Sequence, residues 1–295
     1  MKILQNLEKS YCFIDNFVKS IEKNLLFSLE KRGRKGTLSV SELVTLGLLR
    51  MELKMESIKA FHAFIKLHFS KDFPKLPSYQ QFCEGLTAAF PYIVMITQII
   101  MEMHKMIGGF YIVDSTALPI CSSILRKNRV KRDNGLGKVG KNLNGFYFGF
   151  KMHAIINQNM QFVSIRFTPA NVSDTAVLDE KFLRGLRGIL VGDKGYISSI
   201  KTVELKKMGI TLVTKQRKNM KKTPIHAKHA KALTRRQRVE TSFSSLKNQF
   251  LFISRYARSL RSFLAQSFFS VLVYSMQKLN FDAFTFSESA QFLIS

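Results

Sequence analysis

From Phe110 onward the chain alternates short apolar runs with turn-forming and helix-capping residues, and that order admits few folds. Phe110-Tyr-Ile-Val113 is a continuous apolar run of the length of a buried strand, stopped by Asp114. Residues 146–156 and 162–167 read as two further strands, joined through the turn-type sequence Asn157-Gln-Asn159. Asn171-Val-Ser-Asp174 opens a helix that ends near Gly185 to Gly188. Ile189-Leu-Val191 is a fourth strand, closed by Gly192-Asp193. Ser198 or Ser199 caps a helix to Met208, Gly209 stops it, and residues 210–213 form a fifth strand. A last helix runs from about Thr234 to Phe250. Strands linked by a tight turn pair antiparallel, whereas a helix between strands implies a parallel crossover. The expected product is a mixed five-stranded sheet with flanking helices.

The first hundred residues read as helical. Ser39-Val-Ser-Glu42 is a capping box, and Ser78-Tyr-Gln-Gln81 is a second. After the first box, Val44, Leu48, Met51 and Met55 fall on one helical stripe, which Ile58, Phe61, Ile65 and Phe69 continue. Pro74 and Pro77 interrupt the chain before the second box. The expected division is a helical N-terminal domain, 1–108, and a sheet domain with C-terminal helices, 109–295.

Charge narrows the function. The 295 residues carry 46 Lys and Arg against 20 Asp and Glu, a net charge of +26. A fold does not need that excess, and self-repulsion works against compactness, so a polyanionic partner is expected, nucleic acid before an acidic membrane. Two segments concentrate the cations. Residues 122–141 hold seven, including Arg126, Lys127 and Arg129; residues 215–238 hold ten, including Lys215, Arg217, Lys218, Arg235 and Arg238. Cys12, Cys83 and Cys121 are far apart and odd in number, which suits a reducing cytosol. The N-terminus lacks the apolar run of a signal peptide, and the apolar stretch 263–281 is interrupted by Gln266, Ser267, Ser270, Ser275, Gln277 and Lys278. A soluble, cytosolic protein without a membrane partner is the expectation.

Three acids stand out by position. Asp114 ends the first strand and Asp193 the fourth; in a ribonuclease-H-like strand order those two strands are neighbours, and both carboxylates emerge at adjoining positions. Two carboxylates in a half-buried cleft repel unless a cation lies between them, and hard oxygen ligands suit Mg²⁺ or Mn²⁺. Glu240 is the only acid between Leu205 and Asn280. At helical spacing Arg236, Glu240, Ser244 and Lys247 share one stripe, with Val239, Phe243, Leu246 and Phe250 on an apolar stripe about 90° away. Each acid has a plainer reading: a strand-end aspartate is commonly a turn or cap residue, and Glu240 is spaced to pair with Arg236. Asp174 reads as a helix N-terminal residue and His153 as a strand side chain. His226 and His229 lack partners for a zinc site, and no phosphate-binding P-loop is present.

Five motifs in register carry a resemblance. Tyr111-Ile-Val-Asp114-Ser-Thr116, Gly149-Phe-Lys-Met-His153, Thr168-Pro-Ala-Asn-Val-Ser-Asp174, Val191-Gly-Asp193-Lys-Gly-Tyr196, and Arg236-Gln-Arg-Val-Glu240 with Lys247 together resemble the DDE transposases of bacterial insertion sequences, in particular the insertion-sequence 982 family. The resemblance implies a ribonuclease-H-like catalytic domain in which Asp114, Asp193 and Glu240 bind metal. Related families carry Tyr-x2-Arg-x3-Glu-x6-Lys around the glutamate; this chain has Leu233 where the tyrosine stands. It further implies two Mg²⁺ or Mn²⁺ ions about 3.5–4 Å apart, release of a 3′-OH at the element's end, and transfer of that hydroxyl into target DNA. Arg236 and Lys247 would position phosphate, the two basic segments would follow the DNA backbone, the N-terminal helices would read the terminal repeats, and at least a dimer would hold two ends. A non-catalytic or decayed DNA-binding protein, or a nuclease of the same fold, is the competing expectation.

Overall fold

Local capping sets where the N-terminal helices begin. Ser39 Oγ accepts the Glu42 amide N–H at 3.2 Å while Glu42 Oε2 accepts the Ser39 N–H at 2.6 Å. Ser78 and Gln81 repeat the exchange. The computed structural model describes residues 7–24, 36–105, 109–121, 137–142, 145–215, 227–252 and 259–279. Its first helices are α1 (Leu7–Asn24), α2 (Val40–Glu52), α3 (Ile58–His68), α4 (Tyr79–Ala88) and α5 (Phe90–Lys105). The apolar stripe read across residues 44–69 is split between α2 and α3, because the chain leaves the helix after Glu52 and Lys54 takes a left-handed φ of 55°. Strands β1 (Phe110–Cys121), β2 (Lys138–Asn142), β3 (Gly145–Asn157) and β4 (Phe162–Pro169) follow. Then come α6 (Glu180–Leu183), β5 (Gly188–Gly192), α7 (Ser199–Lys207), β6 (Ile210–Thr214), α8 (Ala227–Thr234), α9 (Gln237–Gln249) and α10 (Leu260–Gln277).

The chain divides into two compact units, Met1–Ile100 with Ser245–Ser295, and Met101–Ser244. This differs from the 1–108 and 109–295 division read from sequence, in that the C-terminal helix groups with the N-terminal ones. In that helical unit α10 runs against α2 so closely that a Cβ on Gly47 would lie 2.3 Å from the Phe269 ring. The buried Arg50 guanidinium donates to the carbonyls of Met55 (2.9 Å) and Glu56 (3.3 Å) and to Gln266 Oε1 (3.0 Å). Gln266 in turn donates to Leu251 O, Ser267 to Phe263 O and Ser270 to Phe250 O. Three of the polar residues that interrupt the 263–281 run, Gln266, Ser267 and Ser270, are therefore bonded inside a protein core, whereas Ser275 Oγ is buried there without a hydrogen bond among the described residues. Among the described residues no single helix is long and apolar enough to cross a membrane.

The second unit is built on a mixed sheet ordered β2-β3-β1-β5-β6, with β4 also on β3. All five expected strands are present and β2 is a sixth. The strands β2 and β4 share one edge of β3 end to end, pairing with residues 145–149 and 150–156 respectively, both antiparallel. β1 pairs antiparallel with β3 and parallel with β5, and β5 parallel with β6. This is the ribonuclease-H-like arrangement, with flanking helices. One sheet face buries Tyr111, Val113, Ile155, Val163, Leu190 and Ile210 against Leu178, Phe182, Leu183, Tyr196 and Leu205, each large side chain contributing about 1.5–3 kcal/mol. Gly188, at φ 105°, admits β5 to the sheet, because a Cβ there would meet Gly109 O at 2.4 Å. The helix expected over residues 171–185 is a 3-10 turn, Thr175–Val177, and the four-residue α6. The connection lies over the core face and breaks to bury Val177, Leu178, Phe182 and Leu183.

Candidate active site

The sheet brings two of the acids together. In the parallel pair β1/β5, Ile112 is opposite Val191; continuing that register two residues places Asp114 beside Asp193. Asp114 Oδ1 accepts the Ser115 N–H at 2.8 Å. Asp193 begins the 3-10 turn Lys194–Tyr196 without a side-chain cap bond, which leaves its carboxylate available.

Glu240 arrives on the first turn of α9. The helix expected from Thr234 is interrupted: α8 ends there, Arg235 and Arg236 form a turn, and α9 begins at Gln237. From that turn one guanidinium reaches all three acids. Arg236 Nη1 lies 3.5 Å from Asp114 Oδ2 and 3.9 Å from Asp193 Oδ1, and Nη2 lies 2.9 Å from Glu240 Oε1. The environments are unequal. Side-chain exposure is 19% for Asp114, 51% for Asp193 and 54% for Glu240. Burial pushes the Asp114 carboxyl up to about 6, against the opposing pull of the Ser115 N–H and Arg236, while Asp193 and Asp174 add to the rise. As placed, no group of three or more His, Cys, Asp or Glu side chains among the described residues is close enough to share one metal ion. The acids surround a guanidinium instead.

The remaining basic candidates have varied surroundings. The Arg235 guanidinium lies 5.8 Å over the Phe110 ring, and Arg238 donates to Gln158 O at 2.8 Å. Lys215 is exposed directly after β6, and Lys247 is exposed on α9 in the helical unit. Arg126, Lys127, Arg129, Arg217, Lys218 and His226 lie outside the described residues.

A second polar cluster, on the opposite face of β1 from Asp114, was missed in part by sequence reasoning. Asp174 makes no side-chain cap bond to the turn it precedes. Its Oδ1 accepts from Ser115 Oγ at 3.0 Å and Lys151 Nζ at 3.3 Å, and faces His153 Nδ1 at 3.6 Å. His153 Nε2 is 2.9 Å from Thr168 Oγ1. Burial lowers the imidazole from its ordinary value, against the upward pull of the Asp174 carboxylate. Tyr196 is fully buried beside these groups; its hydroxyl lies by the Ser115 side chain but makes no well-formed hydrogen bond among the described residues. Glycines make the room: a Cβ on Gly192 would lie 3.1 Å from the Tyr196 ring, and one on Gly195 would lie 3.2 Å from Asp174 Oδ2. The available signal was pairing. Ser115 opposite His153, and Ala117 opposite Lys151, put Ser115, His153 and Lys151 on one face.

A family model described as "Transposase DDE domain" matches residues 104–259, more than half of the chain. The chain belongs to the DDE transposases. The DDE domain so defined contains both strand-end aspartates, Glu240 and Arg236. In fold the chain is similar to the piggyBac transposase seen by cryo-EM in a synaptic complex with hairpin DNA, at a TM-score of 0.50 and 10% identity over 95% of this chain and 75% of that one. No curated protein sequence matches the chain.

Proposed function

We propose that this transposase binds the terminal inverted repeats of an insertion sequence of the 982 type, cuts at their ends and joins them to target DNA. The observation that carries the reading is the meeting of Asp114, Asp193 and Glu240 around one cationic group. Three hard oxygen donors able to surround a guanidinium are the donor set that Mg²⁺ or Mn²⁺ takes, and divalent ions are general to the family. Asp114, Asp193 and Glu240 would hold the metal, one ion or two. When bound, it supplies Lewis-acid activation and charge neutralisation at a phosphodiester.

The chain's own groups have separable tasks. The half-buried Asp114 and the more exposed Asp193, in register on one sheet, set a rigid floor for the reacting phosphate. Hydrolysis at the element's end breaks one P–O bond and leaves a 3′-OH. That hydroxyl then attacks a target phosphodiester, forming one P–O bond and releasing another. Arg236, Lys247, Lys215, Arg235 and Arg238, with Arg126, Lys127, Arg129, Arg217 and Lys218 in the basic segments, position the backbone, because Lys and Arg contacts to phosphate fix register without reading sequence. The helical N-terminal domain, 1–108, reads the ends and residues 109–295 carry the chemistry. Two ends require at least two copies of the chain, acting on DNA in the bacterial cytosol.

The test is direct. Purified protein with element-end DNA is expected to nick and join strands in Mg²⁺ and not in EDTA, and Asp193→Asn is expected to abolish both. Activity surviving that substitution would remove Asp193 from the mechanism, whereas salt-sensitive DNA binding with no cleavage would favour a binding protein without catalysis.

A further inference from the structure

We propose that Arg236 is a built-in counter-ion that keeps the acidic pocket closed to divalent cations until a DNA phosphate draws its guanidinium away. The inference rests on the metal-holding role given above to Asp114, Asp193 and Glu240. Its own observation is that one side chain, 19% exposed, places Nη1 between Asp114 and Asp193 and Nη2 on Glu240. A guanidinium and a divalent ion are both cations seeking the same carboxylate oxygens, so the two exclude each other there. The acids are also spread around the planar fork, too far apart as placed to share one ion. A metal therefore needs Arg236 out and the carboxylates drawn inward.

Position makes that exchange feasible. Arg236 lies in the turn between α8 and α9, one residue before the helix starts, so its side chain can leave while the strands and α9 stay in place. A phosphate is the natural receiver, since the guanidinium fork matches phosphate and carboxylate geometry alike. The pocket then exchanges an internal cation for an external one at the moment DNA arrives. Coupling of this kind is reciprocal: DNA tightens divalent-ion binding and the ion tightens DNA binding by the same factor. It would also keep the chain from loading metal when no DNA is bound.

The experiment is a Mn²⁺ titration followed by the EPR signal of the free ion, with no activity readout, on wild type, Arg236→Gln and Arg236→Lys, each with and without element-end duplex. Asp193→Asn identifies the pocket signal, and circular dichroism checks that each variant is folded. Without DNA, Arg236→Gln is expected to bind Mn²⁺ about 10-fold more tightly than wild type. DNA is expected to raise wild-type affinity by a similar factor and that of Arg236→Gln hardly at all. Arg236→Lys, a point charge reaching fewer acids, is expected between them and serves alone if the glutamine variant does not fold. Equal or weaker Mn²⁺ binding by the folded variants overturns the counter-ion role while leaving the metal-holding role standing. Mn²⁺ bound by none of the proteins, with or without DNA, overturns both.

Discussion

Asp114 and Asp193 occupy equivalent positions on neighbouring parallel strands, each two residues beyond the paired Ile112 and Val191. Their juxtaposition is thus a property of sheet register, set by backbone pairing, whereas Glu240 depends on where α9 starts. The strands also impose a cost, because two like charges are held near each other with one of them half-buried.

That cost gives the first prediction. Asp114→Asn and Glu240→Gln each lower strand cleavage by at least about 10²-fold, the scale for losing one preorganised electrostatic group. In EDTA at neutral pH, Asp114→Asn has a Tm equal to or above wild type, since the substitution removes a carboxylate whose burial disfavours its charge. A cleavage assay paired with thermal melts checks both; a large fall in Tm would show that Asp114 is structural.

How far the sequence could be read follows from which forces were local. Ser39, Ser78 and Ser198 cap helices through bonds to residues three positions on, and those starts are visible in any one-dimensional reading. The apolar runs of β1, β3, β4, β5 and β6 are equally plain, because buried strands must be apolar. Strand β2 was invisible: Lys138-Val-Gly-Lys-Asn142 is basic and largely exposed, held by backbone pairing with β3 rather than by burial. The split of the 171–185 connection and the turn at Arg235-Arg236 come from tertiary demands. For Arg236, helical spacing shows Glu240 as a partner but cannot show Asp114 or Asp193, which only the folded sheet supplies.

Acid sensitivity is expected from His104. It is buried, with Nδ1 2.9 Å from Phe162 O and Nε2 unpaired among the described residues, and burial lowers its imidazole from 6.5 to about 4. Between those values the unfolded chain takes up a proton that the folded chain refuses. Stability therefore falls as pH drops from 6.5 to 4, by up to about 3 kcal/mol from this residue. Urea midpoints measured across that range should slope downward toward acid, and His104→Asn should flatten the slope; an unchanged slope would assign it elsewhere.

Tyr196→Phe is expected to be neutral or stabilising by about 1 kcal/mol. The ring fills the core while its buried hydroxyl, beside the Ser115 side chain, makes no well-formed hydrogen bond among the described residues, and deleting such a polar group removes a desolvation penalty. A loss above 1 kcal/mol in chemical denaturation would mean that the hydroxyl is bonded.

Arg50→Leu is expected to destabilise the helical unit by about 2–4 kcal/mol, because it strips bonds from the carbonyls of Met55 and Glu56 and from buried Gln266 at once. The double variant with Gln266→Leu should recover part of that loss, a coupling that a double-mutant cycle reads directly.

The central claim is that Asp114, Asp193 and Glu240 share one cation pocket. Iron-mediated backbone cleavage tests it: Fe²⁺ with ascorbate in the presence of element-end DNA, where oxidative cuts mark the residues nearest the bound ion. The account predicts cuts clustered around 114, 193 and 240, suppressed by excess Mg²⁺ and absent in Asp193→Asn. Cuts at only one of those positions, or elsewhere in the chain, would contradict it.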